Sequence, residues 1–218
     1  MFFRMASRPP SPGRQARAQR TRDALIGAMI DLVRAQGYAA TSVDQLCARA
    51  GVTKGAFFHH FESKDALAEA TAEAWGAHGN ALFAMPGDGD AVGRILDYID
   101  ARLAAIDGDV AGCSCLAGTM VQEVHASNAR LRDACGAAIL GHAATLDAIC
   151  ARAIAEHGVT GMTGPQLALH IQAVIQGGFV VAKAAGDIAP ARESVAHLRR
   201  YIALLFGRSE GAQAGGEG

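Results

Sequence analysis

Between residues 42 and 60 the chain permits two short helices and nothing longer. Ser42-Val43-Asp44-Gln45 is a capping-box start, and Val43, Leu46, Cys47 and Ala50 supply about two apolar turns before Gly51 ends them. Val52 then leads into Thr53, an N-cap for a second short helix through His59 or His60. A longer helix precedes both, because Leu25, Ala28, Met29, Leu32 and Val33 recur at i, i+3, i+4, i+7 and i+8 from a start near Arg17, with Gly37 as the stop. Two short helices joined through a glycine turn behind a longer one are the sequence form of a helix-turn-helix, whose last helix enters the DNA major groove. The turn chemistry agrees. Gly51 accepts positive φ and Val52 can pack inward, while Thr53, Lys54 and Gly55 place a hydroxyl, a cation and open backbone N–H groups at a helix start that favours phosphate. Small Gly55 and Ala56 allow the backbone to approach base edges.

The charge divides along the same line. Residues 1–65 carry 10 Lys+Arg against 5 Asp+Glu, a surplus of +5, within a chain whose net charge is -1. The first 22 residues hold six Arg and no acid, as expected of an arm that meets phosphate, although a solvated tail has the same composition. Three prolines and little apolar mass predict disorder over the first 15 residues. The N-terminus lacks an apolar stretch of signal-peptide length, and Gln172, Gln176 and Lys183 interrupt the apolar run at 171–185, so neither a leader nor a membrane span is expected and the location reads as cytoplasmic. Five cysteines at scattered spacing imply reduced thiols.

Alanine accounts for 47 of 218 residues against 12 aromatics, which favours helix throughout. Further helices are expected from Ser63 past Leu67 and Trp75 to about Phe83, then near 90–106, 114–125, 128–157, 165–185 and 191–206, making an all-α fold of about nine helices. The division expected is a disordered basic arm at 1–16, a DNA-binding domain at 17–67, a ligand-binding and dimerisation domain at 68–206 and a disordered tail at 207–218.

The stretch from Gly37 to Leu67, with Thr41-Ser42, Gly51-Val52-Thr53-Lys54-Gly55-Ala56-Phe57-Phe58-His59-His60-Phe61 and Lys64 in order, resembles the DNA-binding domain of the TetR family of transcriptional regulators over about 50 residues, Arg17 to Leu67. The resemblance implies an all-helical homodimer with three N-terminal helices on double-stranded, pseudo-palindromic operator DNA, a C-terminal domain that binds a small-molecule inducer, and the last two helices as the dimer interface. Residue by residue it implies phosphate contacts from Thr41 and Ser42, a phosphate or base-edge contact from Lys54, a groove face from Gly55, Ala56 and Phe57, and backbone anchors at His60 and Lys64. Where the family places a Tyr, this chain has Phe58, so a hydroxyl anchor is lost unless a ring N–H of His59 replaces it. Arg49 is read equally as a solvated helix residue or a groove contact. Phe57, Phe61, Val43 and Leu46 also fit the core of the three-helix unit.

In the C-terminal part an inter-helix pocket is expected, with Trp75, Phe83, Leu103, Cys115, Met120, His125, His142 and Phe179 as candidate lining and core as their alternative. Gly177, Gly178, Val181 and Ala185 are the small and apolar residues expected at the dimer interface. Cys113-Ser-Cys115 opens a helix, where the helix dipole lowers a thiol's pKa while Asp107 and Asp109 raise it. The reading is a ligand-responsive repressor without cofactor or metal. A thiol-based repressor acting through Cys115, or a helical binding module that has lost DNA binding, are the alternatives. No enzyme is expected: Gly87-Asp-Gly-Asp-Ala-Val-Gly93 misses the dinucleotide fingerprint and follows a helix, and no Gly-x-Ser-x-Gly occurs.

Overall fold

Two glycines shape the N-terminal third. Gly37, at φ +90°, ends α1 (Pro12–Gln36), and Gly51, at φ +67°, ends α2 (Val43–Ala50). The capping box is formed: Ser42 accepts the Gln45 N–H while the Gln45 side chain accepts the Ser42 N–H. Thr53 caps α3 (Lys54–His60) and Ser63 caps α4 (Lys64–Leu82), each hydroxyl accepting the N–H three residues on. These elements come from a computed structural model that describes residues 12–84 and 89–208.

The remaining helices are α5 (Ala91–Ala104), α6 (Val110–Cys113), α7 (Leu116–Val124), α8 (Ala129–Ala144), α9 (Asp147–Glu156), α10 (Gly164–Ala185) and α11 (Ala189–Leu205). No strand occurs among the described residues. The all-α class is as expected, with eleven helices among the described residues where about nine were predicted. One addition is the single turn α6. The other comes from a break in the predicted 128–157 helix at Thr145-Leu146, where both N–H groups bond three residues back and the Thr145 hydroxyl donates to the His142 carbonyl at 2.7 Å. α1 begins at Pro12, ahead of the expected Arg17, and a proline with fixed φ suits a first helical turn. The arm before residue 12 and the tail from 209 lie outside the described residues, as do residues 85–88.

Two apolar cores form. The first joins α1 to α4 with α7 and α8: Leu25, Met29, Leu46, Phe57 and Leu67 share one cluster with Leu116, Met120, Leu131 and Cys135. The expected division at residue 67 is therefore crossed by continuous packing. The second core gathers α5, α9, α10 and α11 around Ile95, Ile99, Leu146, Ile171, Ile175 and Ile202. By length and hydropathy alone Gly164–Ala185 and Ala129–Glu156 would suffice to cross a membrane, a test that the core helix of a soluble protein also passes. The apolar residues of Gly164–Ala185 serve another purpose, since Leu167, Ala168, Ile171, Ile175 and Phe179 fill the interior of the second core.

Candidate DNA-binding face and ligand cavity

On α3 the helical period separates core from surface. Phe57 and Phe61, one turn apart, are buried, which leaves Lys54, Gly55, Phe58 and His59 exposed. Phe57 therefore belongs to the core of the unit and not to a groove face. Phe58, at 55% exposure, presents its bare ring outward, in keeping with the expected loss of a hydroxyl anchor there. Ser42 and Thr53 are exposed caps, and a Cβ on Gly55 would meet only the Thr53 hydroxyl, so the backbone there is open. Ala56 is half-buried.

On this face Lys54 and Arg49 each have an acid beside them. Lys54 lies 2.7 Å from Asp44, a hydrogen bond that raises its pKa, and Arg49 lies 2.6 Å from Asp31. Such pairs are weak in water, so both cations are available to phosphate. His60 is half-buried, and burial, with His59 and Arg22 nearby, holds its pKa below the usual histidine value.

Two expected phosphate contacts point inward. Thr41 is 1% exposed, with its hydroxyl donating to the Gly37 carbonyl at 2.7 Å. Lys64 donates to the Tyr38 and Thr41 carbonyls, each at 3.0 Å, and its Nζ stands 4.1 Å from the centre of the Tyr38 ring. Both hold the turn between α1 and α2. The same turn is held from α7, where Glu123 accepts the Tyr38 and Ala39 N–H groups at 2.8 and 2.7 Å. The Tyr38 hydroxyl donates to Asp65, which also accepts from Asn128 at 2.9 Å.

A cavity of about 280 Å³ opens between the two cores, walled by α1, α4, α5, α6, α7, α8 and α10. Of the expected lining, Trp75, Phe83, Cys115, His142 and Phe179 are present. Met120 is instead fully buried in the first core, Leu103 packs on the second, and His125 is exposed at the end of α7, so these three lie outside it. Arg34, Arg102, Gln172 and Gln176 also line it and were not singled out from the sequence. A signal existed: Gln172 and Gln176 stand one turn apart on an apolar helix, where a polar pair faces an internal space. Arg34 carried no such mark, since a basic residue in the last turn of a helix is ordinary.

One wall is a polar relay. Gln172 donates to the Tyr98 hydroxyl at 2.8 Å, Tyr98 meets Nε2 of His142 at 3.0 Å, and Nδ1 of His142 meets Oδ1 of Asn80 at 2.7 Å. An amide oxygen only accepts, so Nδ1 carries the proton and Nε2 accepts from Tyr98. Burial, with Arg102 nearby, lowers the His142 pKa to about 4, consistent with this neutral form. Cys115 is the N-cap of α7, its Sγ accepting the Gly118 N–H at 3.4 Å, and it alone of the five thiols is not buried. Burial raises the Cys113 thiol pKa and pushes those of Cys135 and Cys150 up to about 12.

The face expected between subunits is also defined. Leu169, Ala173, Gly177, Val180, Val181 and Ala184 follow helical spacing along one exposed side of α10, and Tyr201 and Leu204 are exposed on α11. Ala185 is exposed as well. Gly178 is not part of this face: a Cβ there would lie 3.3 Å from Ala191 Cα, so it serves close packing of α10 on α11 within the chain.

Comparison with known proteins agrees with this layout. Residues 25–71 match the family model described as bacterial regulatory proteins, tetR family, and residues 90–197 match the LmrA/YxaF-like transcriptional regulator C-terminal domain. The HTH-type transcriptional regulator TcmR of Streptomyces glaucescens is 38% identical over 115 residues, covering 47% of this chain and 50% of TcmR, so the match spans half the length of that relative. Among solved structures, a TetR regulator from Chloroflexus aurantiacus aligns with TM-score 0.74 at 25% identity over 86% of this chain and 96% of its own. Reduced Escherichia coli NemR aligns at 0.70 and 26% over 83% and 95%. With its N-terminal and C-terminal parts both matching, the chain belongs to the TetR family of DNA-binding transcriptional regulators.

Proposed function

We propose that the protein is a homodimeric repressor that releases a pseudo-palindromic operator when a small molecule fills the cavity between its two cores. The observation that carries this reading is shared construction: α4, which starts beside the recognition helix α3, runs on to supply Trp75, Gly76 and Gly79 to the cavity wall, and α1 supplies Arg34. Occupancy of the cavity therefore bears on the helices that orient the DNA-binding face. Ser42, Arg49, Thr53, Lys54, Gly55, Phe58 and His59 make up that face, and the exposed strip on α10 and α11 pairs the subunits so that two recognition helices stand about 34 Å apart, one DNA turn.

A ligand releases DNA only if it binds better to a conformation with the wrong helix spacing. It follows that operator DNA must weaken ligand binding by the same factor by which ligand weakens DNA binding. Gel retardation with DNA from immediately upstream of its own coding sequence tests the reading. Retardation at low salt that fades as salt rises is expected; no retardation of any fragment at low salt overturns it. A second reading, release through modification of Cys115, is favoured by the partial exposure of that thiol in the cavity wall.

A further inference from the structure

The cavity lining contains two arginines, Arg34 and Arg102, and no Asp or Glu. Arg34 is the unusual one. One of its terminal nitrogens donates to the Gly112 carbonyl, while its Nε is buried and has no hydrogen-bond partner among the described residues. A guanidinium is the donor least able to shed its charge, and burial already works against that charge here, lowering the Arg34 pKa. The acids that act on it from nearby are otherwise engaged: Asp31 accepts from Arg49, and Asp109 accepts the Gly112 N–H. Two guanidiniums in a cavity wall without a carboxylate call for an anionic acceptor that arrives with the ligand.

The rest of the wall defines the ligand's body. The Arg34 guanidinium lies 5.2 Å from the centre of the Trp75 ring, and that of Arg102 lies 4.4 Å from the centre of Phe83. Ile106, Ile139 and Phe179 add apolar surface, and about 280 Å³ holds one or two fused rings but nothing much larger.

Resting on the reading of this cavity as the inducer site, we propose that it takes a small aromatic carboxylate, whose anionic group faces the Arg34 guanidinium while its ring lies among the aromatic walls. Arg34 stands on α1 three residues before the Gly37 turn, so the bound charge rests on the helix that leads into α2.

The test is isothermal titration calorimetry with 2-naphthoate and its neutral isostere 2-naphthamide. Wild-type protein should bind naphthoate about tenfold or more tighter than naphthamide, and Arg34→Gln should remove that preference by weakening naphthoate far more than naphthamide. Arg34→Lys, which keeps a cation but lacks the planar guanidinium, should weaken naphthoate by a smaller factor and is the variant to read if Arg34→Gln does not fold. Equal affinity for the two compounds, binding of neither, or a preference that survives both substitutions overturns the proposal. The titration contains no DNA, so that failure leaves the repressor reading to its own retardation test.

Discussion

The carboxylate of Glu123, one residue from the end of α7, accepts the backbone N–H of Tyr38 at 2.8 Å, and through this contact the C-terminal part of the chain holds the turn that launches α2. Gly37 makes the approach possible. It combines φ +90° with a position where a Cβ would stand 2.7 Å from Glu123 Oε1, so any side chain there meets both backbone strain and a clash. The turn is thus clamped from α4 by Lys64 and Asp65 and from α7 by Glu123.

Glu123→Ala should destabilise the protein by about 1–2 kcal/mol, since it leaves the Tyr38 and Ala39 N–H groups without their charged acceptor. Urea denaturation reads the loss as a lower midpoint. Glu123→Gln, which keeps an acceptor oxygen, should fall between.

Lys54→Ala should weaken binding to operator and to unrelated DNA alike, and the slope of log affinity against log salt should shrink by about 1 if Lys54 neutralises one phosphate. Fluorescence anisotropy across a salt series measures both. Unchanged affinity in a folded variant would mean that α3 is not the recognition helix.

His142 makes stability depend on pH. Its pKa is lowered from 6.5 to about 4 in the folded protein, so the unfolded chain binds the proton more readily. The stabilisation is complete above pH 6.5 and is lost as pH falls towards 4, by about 2 kcal/mol once partial solvent access is allowed for. His142→Gln should flatten the stability profile between pH 6.5 and 4 relative to wild type; an unchanged slope would place the acid sensitivity elsewhere.

Iodoacetamide should label native Cys115 ahead of the other four thiols, because they are buried and Cys135 and Cys150 are also held protonated with pKa values about 12. Mass-spectrometric mapping ranks the sites. If native Cys115 labels no faster than Cys135, the thiol-responsive reading is lost.

A charge in the exposed strip should separate the subunits. Val181→Glu with Leu204→Arg replaces side chains that are 54% and 75% exposed in the single chain, so the fold should survive while sedimentation velocity reports a monomer. A dimer that persists would show that another face makes the contact.

The DNA-binding unit was legible in the sequence because its determinants are local. A capping residue and the N–H it accepts are three positions apart, a glycine's positive φ belongs to one residue, and the spacing of Leu25, Met29 and Val33 alone assigns a buried face. The direction of individual side chains around that unit was not. Thr41 and Lys64 bond inward because carbonyls of the α1–α2 turn, up to 26 residues away, lie within their reach. Gly177 faces outward and its neighbour Gly178 faces α11 because successive helical residues point about 100° apart, and only the packing of α10 on α11 decides which of them is covered. The cavity was the least legible part. Its wall takes residues from seven helices between Arg34 and Phe179, and whether an arginine at a helix end meets solvent, phosphate or a ligand depends on what packs beside it. Arg34, Arg49 and Lys54 all sit in terminal turns in the sequence; the tertiary structure puts one against Trp75 and leaves the other two at the surface.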